Sequence, residues 1–468
     1  MNKRMNLPTV LVMFALLFIV MFSSLVFLKV DPHIPLLFCL IVLGTAASFF
    51  GASWKTIEKG LLNGINTGLQ PMLILFIIGL MISSWMMSGT VPTLLYYGID
   101  VIRPEWFALS ALFITILVST FTGSSLTTVG TVGVALMGIA GVMHVNPGLA
   151  AGAIVSGAFF GDKMSPLSDS TNLAPGIVGV NMFDHIRHMM WTTVPALFVT
   201  SIIFLFMGHG VTNGVEELSN LKELKQTLGA HFPISPFTLI SPFIVMVLAY
   251  RRFPIVPTLL AGVLSAVITA FVLIPDMTAA KVMTVLQNGM NLETGNKAVD
   301  QIVNKGGLQS MMWSISLIVI ALALGGLIKE LGMFDLILSR FSHALTKPGS
   351  LIAATALSSI GVNLLAGEQY LSALLPGQAF KDVYKKANVP LINLSRTLED
   401  GGTLINPLVP WSVCGAFIAS TLGISVLTYL PYAFFLYLSP LFTMILGFTG
   451  ISIYPKKRSY EEEKQGVA

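Results

Sequence analysis

Five carboxylates stand where an otherwise apolar chain is interrupted by glycine, proline and serine residues. They are Asp162, Asp169, Glu368, Glu399 and Asp400, and the bases Lys163 and Arg396 accompany them. Near the centre of a membrane helix each ionised side chain costs at least ~2.5–3.5 kcal/mol, so such residues usually mark an ion or substrate pathway. Arg396 could neutralise Glu399 or Asp400, and Lys163 could neutralise Asp162 or Asp169, but two bases cannot balance five acids. The excess negative charge favours a site for protons or a cation.

The residues around these carboxylates offer the oxygen ligands that a small hard cation takes. Glycine and proline at both interruptions prevent continuous helix and free backbone carbonyls as further ligands. We therefore predict a site for Na+, Li+ or K+, with Asp162 and Asp400 as direct Na+ ligands and Asp169 and Glu399 as second choices. Glu368 is predicted to be a gate or a proton carrier. The other predicted ion- or substrate-binding residues are Ser165, Ser168, Asn172, Arg396, Thr403 and Asn406.

A further polar break at 121–125 (FTGSS) predicts a hairpin tip in the membrane, formed by Thr122, Gly123, Ser124 and Ser125. In one interpretation the hydroxyls and freed amides of this tip line the ion site. In the other, these small residues allow neighbouring helices to pack closely. Both interpretations stay open at this point.

The bulk composition decides what kind of chain must position these groups. The sequence has 468 residues, of which 54% are apolar and 10% charged, and its mean hydropathy is +0.82. Soluble globular proteins carry about 25% charged residues, so a soluble enzyme, a nucleic-acid binder and a disordered scaffold are excluded. Two cysteines without a CxxC spacing indicate neither a disulfide framework nor a redox site. We predict an all-α polytopic membrane protein.

Apolar runs long enough to span a bilayer define the domain organisation. We expect a first membrane repeat at 1–208, a polar inter-repeat loop at 209–233, a second membrane repeat at 234–455 and a cytoplasmic tail at 456–468. The candidate spans are 8–30, 34–50, 70–89, 105–121, 147–180 and 189–208, then 236–250, 254–274, 309–328, 349–366, 390–421 and 428–452. The seven histidines fall near predicted loops or helix ends, which favours interfacial residues over a proton relay.

Interruptions of the two halves recur at a nearly constant spacing, which predicts an internal repeat. The offsets are 367 − 123 = 244, 390 − 147 = 243 and 407 − 166 = 241. Equivalent loops differ in basic residues, so the positive-inside rule places them on opposite sides of the membrane and both termini in the cytoplasm. We predict two inverted-topology repeats with broken helices, with re-entrant segments after Gly123 and Gly367. The amphipathic stretches 53–68 and 277–305 are expected at the interface and are candidates for a homodimer contact.

Two long motifs carry a resemblance to a known family. The run GDKMSPLSDSTNLAP at 161–175 resembles the signature of the NhaC-type sodium/proton antiporter family. The runs LSRTLEDGGT at 394–403 and PLVPWS at 407–412 resemble the matching motif of the second half. The likeness extends over nearly the whole chain, with Ser170 in place of threonine and Gly401 in place of serine. The lost hydroxyl puts a ligand role for position 401 in doubt.

The resemblance implies exchange of cytoplasmic Na+ for external H+ in the cell membrane, with alternating exposure of one site. Burial favours the protonated form of a carboxyl group, so one carboxylate can hold either ion in turn. The family also includes malate/lactate antiporters, and the alternative function is such an exchanger, with Arg396 binding a substrate carboxylate bidentately. No nucleophile–base pair, HExxH spacing or phosphate loop points to an enzyme. We expect no cofactor beyond the transported Na+ and H+, and no nucleic-acid partner.

Overall fold

The computed structural model describes residues 6–101, 103–166, 168–208, 215–251, 253–296, 299–300, 303–342 and 347–453. All regular secondary structure within these residues is helical. Eight helices of this part of the chain are long and apolar enough to cross a membrane, and three further pairs qualify as bent spans. The predicted multi-pass helical membrane protein is confirmed. The predicted cytoplasmic tail lies outside the described residues.

Helices of the first half follow one another with short connections. They are α1 (Leu7–Val26), α2 (His33–Phe49), α3 (Trp54–Thr67), α4 (Leu69–Met87), α5 (Thr90–Val101), α6 (Phe107–Thr122), α7 (Ser125–Thr128), α8 (Val134–Val142), α9 (Pro147–Met164), α10 (Asp169–Val178) and α11 (Met182–Gly208). A π-helical turn at Val129–Gly133 joins α7 to α8. The polar helix α12 (Val215–His231) then leads to the second half.

The second half repeats this order of helices. It contains α13 (Ile240–Tyr250), α14 (Ile255–Leu273), α15 (Ala279–Asn288), α16 (Met312–Glu330), α17 (Met333–Ser342), α18 (Pro348–Ala366), α19 (Gln369–Lys386), α20 (Leu391–Leu398), α21 (Val413–Leu422), α22 (Val426–Tyr429) and α23 (Phe434–Thr449). A π-helical segment at Glu399–Thr403 follows α20 directly.

Structural landmarks of the two halves correspond at one offset of 244. The left-handed glycines Gly123 and Gly367 end α6 and α18, and Gly179 and Gly423 end α10 and α21. The serines that cap α10 and α21, Ser168 and Ser412, keep the same offset. The predicted repeat is therefore present. Before α4 the correspondence changes, because Gly68 alone separates α3 from α4 whereas 23 residues, 289–311, separate α15 from α16.

The last long helices of the two repeats, α11 and α23, pack against each other in opposite directions. Near one end, Thr192 and Thr443 both donate a hydrogen bond to the same oxygen of Asp400. Near the other end, the rings of Phe204 and Phe434 are 5.3 Å apart. Equivalent helices that run antiparallel require a twofold axis perpendicular to them. For membrane-spanning helices this is the inverted topology.

Helix α9, which carries the acidic motif, is held against α6 by glycines. A Cβ on Gly157 would overlap Thr115 Oγ1 and the carbonyl oxygen of Leu112, and a Cβ on Gly161 would lie 2.5 Å from the carbonyl oxygen of Ile116. In the second repeat, Gly401 packs equivalently, with its Cβ position 2.9 Å from the carbonyl oxygen of Ala356. Small residues let membrane helices approach closely, and this contact fixes the depth of the break that follows α9.

Replacing Gly157 by alanine is expected to force α6 and α9 apart. Overpacking of this kind typically costs about 1–3 kcal/mol, so Gly157→Ala should lower the thermal unfolding midpoint of the protein in detergent. Gly141→Ala is the matched control, because that position in α8 has nothing within 4 Å of its Cβ. Equal midpoints for the two variants would show that the glycine contact is not tight.

Candidate functional site

Asp162 lies at the end of α9, just before the chain breaks. Its side chain is 9% exposed, and Ser125 of the hairpin tip donates a hydrogen bond of 2.7 Å to Asp162 Oδ2. Ser168, which caps α10, is a second hydroxyl partner of this carboxylate. Two hydroxyls and one carboxylate thus meet where α7, α9 and α10 come together, and of the predicted tip residues Ser125 makes the contact.

Asp400 forms an ion pair with Lys163 across the two repeats. Lys163 Nζ donates to Asp400 Oδ1, and both side chains are almost completely buried, at 1% and 0% exposure. Ser439 Oγ donates to the same oxygen at 2.6 Å. Thr192 donates to Oδ2 at 3.1 Å, together with Thr443. Each carboxylate oxygen therefore already accepts two hydrogen bonds, and the predicted pairing of Lys163 with Asp162 or Asp169 is wrong.

Glu399, next to Asp400 in the π-helical segment, has one oxygen engaged and one free. Its side chain is 1% exposed, and Thr403 Oγ1 donates to Glu399 Oε1 at 2.9 Å. Among the described residues Glu399 Oε2 has no hydrogen-bond partner. Asp162, Asp400 and Lys163 all lie within electrostatic range of this group. A buried carboxyl oxygen without a donor is costly, so this atom is suited to hold a proton or a cation.

Glu368 caps the second hairpin, at the start of α19. Its Oε2 accepts a hydrogen bond of 2.7 Å from the backbone N–H of Leu371, and the side chain is buried. The neighbouring Gln369 accepts a weak hydrogen bond from the thiol of Cys414 at 3.7 Å. Glu368 is therefore the N-cap of α19 at the hairpin tip, and the positive end of that helix stabilises its carboxylate.

Side-chain amides form hydrogen bonds across the helix break of the second repeat. Asn363 Nδ2 donates to the carbonyl oxygen of Gly402 at 2.5 Å, and its Oδ1 accepts from Asn406 at 2.9 Å. Asn406 Oδ1 in turn accepts the backbone N–H of Cys414. Since 406 − 162 = 244, Asn406 is the counterpart of Asp162, and Ser156 is the counterpart of Asp400. The two repeats therefore carry their carboxylates at different positions.

Arg396 pairs with neither of the carboxylates predicted for it. It donates to Ser452 Oγ at 2.9 Å and to Asn393 Oδ1 at 3.4 Å, and no ion pair involves it in the part of the chain that the structure describes. The expectation for the histidines is also wrong at two positions. His185 and His188 are buried, with partners Ser395 and Asn393 on α20.

The two repeats differ in how open they are. Helix α10 exposes Asp169, Asn172 and Gly176 on one face, whereas the equivalent α21 is buried along most of its length. Helix α19, which packs against α10, exposes Gln378 and Asp382. The corresponding segment of the first repeat, Ser125–Val142, is 83% buried. The first repeat therefore presents an exposed polar face on α10, beside α19, at the end of the bundle where Lys381 lies.

Two other predicted ligands donate hydrogen bonds within the chain. Asn172 donates to the carbonyl oxygens of Pro166 and Ser168, and Thr403 bonds Glu399. The sequence did not point to Thr192, Ser439 and Thr443. The spacing of Ser439 and Thr443, four residues apart in an apolar helix, is the signal that could have found two of them.

Inverted repeats that meet at broken helices with buried charges define a secondary transporter. A model of the Na+/H+ antiporter family matches residues 157–451 of the chain. The Na(+)/H(+) antiporter NhaC of Alkalihalophilus pseudofirmus is 51% identical over 453 residues, which are 97% of this chain and 98% of that protein. The protein of the same name from Bacillus subtilis is 46% identical over 447 residues, covering 96% and 99%. The chain belongs to the Na+/H+ antiporter family.

A more distant relative is named for different substrates. The malate-2H(+)/Na(+)-lactate antiporter of Bacillus subtilis is 33% identical over 468 residues, 99% of this chain and 100% of that protein. Among solved structures, MtrF of Neisseria gonorrhoeae aligns with 92% of this chain and 98% of its own at 14% identity. Its TM-score of 0.44 is too low to bear on the architecture.

Proposed function

We propose that this protein exchanges Na+ for H+ across the cytoplasmic membrane, with the two ions competing for Asp162 and Glu399. The observation that carries the proposal is the unpartnered Oε2 of Glu399, buried within electrostatic range of Asp162. Carboxylate, hydroxyl and carbonyl oxygens are ligands for a hard cation, and Ser125 and Ser168 supply hydroxyls beside Asp162. A proton on Glu399 Oε2, or a Na+ ion beside it, would satisfy a buried oxygen that otherwise lacks a donor among the described residues.

Asp400 has a different proposed role from the one assigned to it by spacing. Four donors already occupy its two oxygens, and a Na+ ion would have to displace Lys163 or a hydroxyl to reach them. We therefore propose that the role of Asp400 is to neutralise Lys163 where the two repeats meet. Asp162 keeps the role of direct ligand, Glu399 replaces Asp400 as the second, and Glu368 remains the proposed gate or proton carrier.

Alternating access accounts for the exposed polar face of α10 at the Lys381 end and for the burial of the equivalent α21 at the opposite end. Basic residues cluster at the Lys381 end, where α19 finishes with Lys381, Lys385 and Lys386. Because cytoplasmic loops carry an excess of Lys and Arg, we assign this end to the cytoplasm, and both termini with it. The pseudo-symmetric exchange of the two repeats would then open the outer end.

The alternative, organic-acid exchange, required Arg396 to clamp a substrate carboxylate. Arg396 is 0% exposed, and its guanidinium donates to Ser452, which follows α23, and to Asn393 in α20. It is therefore engaged by the protein itself. The two relatives of highest identity described above are named Na+/H+ antiporters, whereas the malate/lactate antiporter is more distant.

Inside-out membrane vesicles test the choice between these functions. We expect Na+ addition to drive proton movement across the vesicle membrane, with the same rate in the presence and absence of malate or lactate. A Na+ response that requires malate or lactate would replace the proposal with organic-acid exchange. A vesicle that carries the protein and shows no Na+-dependent proton movement would reject both.

Arg396→Lys is expected to leave Na+/H+ exchange partly active in the same assay. Lysine retains the positive charge, although it loses the planar fork that reaches Ser452 and Asn393 together. If Arg396 instead clamped a substrate, the variant would lose organic-acid transport by roughly 5–150-fold, the range of a charge-assisted hydrogen bond. Malate- or lactate-stimulated Na+ flux in the unsubstituted protein that vanishes in Arg396→Lys would contradict the structural role.

A further inference from the structure

Each of the two short helices beyond the breaks ends beside a lysine amine. Helix α10 ends at Gly179, and Lys381 Nζ donates to the carbonyl oxygen of Ile177 at 3.2 Å. Helix α21 ends at Gly423, and Lys305 Nζ lies 3.6 Å from the position that a Cβ on Gly423 would take. The last carbonyls of a helix lack partners within it and favour a nearby cation.

The repeat symmetry does not supply the lysine at α21. Residue 381 − 244 = 137 is Met137, so the first repeat has no lysine equivalent to Lys381. Lys305 comes instead from 289–311, the connection that separates α15 from α16 and has no counterpart between α3 and α4. The second repeat thus adds a cation where the symmetric position provides an apolar side chain.

The backbone next to Lys305 is anchored in the bundle. Gly306 and Gly307 both have a left-handed φ of +85°, and the N–H of Gly307 donates to the carbonyl oxygen of Gly79 in α4 at 2.9 Å. A Cβ on Gly306 would lie 2.5 Å from the backbone nitrogen of Ser83. A side chain on that glycine would therefore displace the segment from α4. Lys305 is held by a fixed backbone at the end of α21.

The same end of α21 is fastened by two further hydrogen bonds. Ser420 Oγ donates to the carbonyl oxygen of Ser310 at 3.2 Å, and Ser314 Oγ donates to that of Ala416 at 2.7 Å. Lys305 is partly buried, and burial lowers the pKa of its ammonium group. No carboxylate forms an ion pair with it among the described residues. Its ammonium group lies beside Gly423, the residue that ends α21.

We propose that Lys305 is a positioning residue of the transport cycle, whose ammonium group keeps α21 docked and the bundle closed at the Lys305 end. Removing this charge frees the end of α21 and shifts the protein toward conformations that open there. The shift raises the exposure of the ion site at the Lys305 end and lowers it at the Lys381 end. This inference rests on the proposed antiport, since opening matters only for a protein that alternates between two exposures.

Thiol labelling tests the closure without requiring a transported ion. Thr421→Cys places a thiol on the buried face of α21, where Thr421 is 3% exposed. We expect a membrane-impermeant maleimide added at the Lys305 end to label it slowly, and roughly 2- to 30-fold faster when Lys305→Met is added, the range for a charge at a helix C-terminus. The protein without Thr421→Cys reports any labelling of the buried Cys39 and Cys414.

The apparent Na+ affinities on the two sides give the second readout. A shift of the population from conformations open at one end to conformations open at the other changes the two apparent affinities in opposite directions. Lys305→Met should therefore strengthen the Na+ affinity at the Lys305 end and weaken it at the Lys381 end. Right-side-out and inside-out vesicles measure the two values. Lys305→Arg should restore the original ratio, because it retains the charge.

Several outcomes overturn the inference. Labelling of Thr421→Cys that is unaffected by Lys305→Met would do so, as would equal weakening of Na+ affinity on both sides. An increase in labelling caused equally by Lys381→Met would show a general effect of losing a helix-end cation. Should Lys305→Met fail to fold, Ser420→Ala loosens the same helix end, and an unchanged labelling rate in that variant overturns the inference too. If the unsubstituted protein shows no Na+-dependent proton flux, the proposed function fails while the labelling result still stands.

Discussion

Asp162→Asn should abolish Na+-dependent proton movement, with a loss of roughly 100-fold or more. The amide cannot release a proton and does not offer a charged oxygen, so one substitution removes both the proton carrier and the ion ligand. A loss of this size corresponds to about 2.7 kcal/mol. Inside-out vesicles loaded with a pH-sensitive dye measure the rate after addition of Na+, normalised to the amount of protein in the membrane.

Asp276→Asn is the matched control for this substitution. It removes a carboxylate in the same way, but Asp276 is exposed in the turn between α14 and α15, away from both breaks. We expect its exchange rate to be close to that of the unsubstituted protein. Normal exchange by Asp162→Asn, with both variants equally abundant, would remove Asp162 from the site.

Breaking the ion pair of Lys163 and Asp400 should destabilise the whole protein. Removing one partner of a buried pair leaves an uncompensated charge and typically costs about 3–5 kcal/mol. Lys163→Met and Asp400→Asn are each expected to reduce the thermal unfolding midpoint and the amount of folded protein. Asp400→Asn should be the more harmful of the two, because it leaves an ammonium group among hydroxyls.

Combining the two substitutions separates a structural partner from an ion ligand. The double variant Lys163→Met/Asp400→Asn has no buried charge at this place, and its amide can still bond Thr192, Ser439 and Thr443. We expect the unfolding midpoint to recover toward the original value, with part of the exchange activity restored. A stable double variant with no exchange at all would return Asp400 to the role of a direct ligand.

Local signals made the repeat and its breaks predictable from the sequence. Glycine and proline are the residues that most often end or interrupt a helix, so the offsets of Gly123 and Gly367 were visible without any packing information. The cap serines follow the same logic. The equivalence of Asp162 and Asn406 in the two repeats needed the structure. The spacing of the two motifs is 241, whereas the structural offset is 244.

Contacts between the repeats were not predictable in the same way. Lys163 and Asp400 are 237 residues apart, and which base faces which acid depends on how the two repeats pack. Arg396 was expected beside Asp400, but the antiparallel α23 brings Ser452 to its guanidinium instead. His185 and His188 looked interfacial because they lie just before the predicted span 189–208, but in the structure α20 covers them.

Gly401 illustrates how a structural cause can resemble a functional one. From the motif alone, its missing hydroxyl raised a question about ion ligands. In the fold its Cβ position is 3.2 Å from both Ala356 Cα and Ser359 Cβ, equivalent to the contact of Gly157 with α6. The glycine is required by helix packing, so position 401 does not contribute a side chain to the site.

The competition of Na+ and H+ for one buried pair of carboxylates is tested most directly by the Na+ dependence of exchange at several pH values. Purified protein in liposomes, with Asp162→Asn as the inactive reference, gives the apparent KM and the maximal rate at each pH. Competition predicts that the KM for Na+ rises as the pH falls, by up to about tenfold per pH unit, while the maximal rate stays constant. A KM that is independent of pH, with a maximal rate that falls as protons are added, would contradict a shared site.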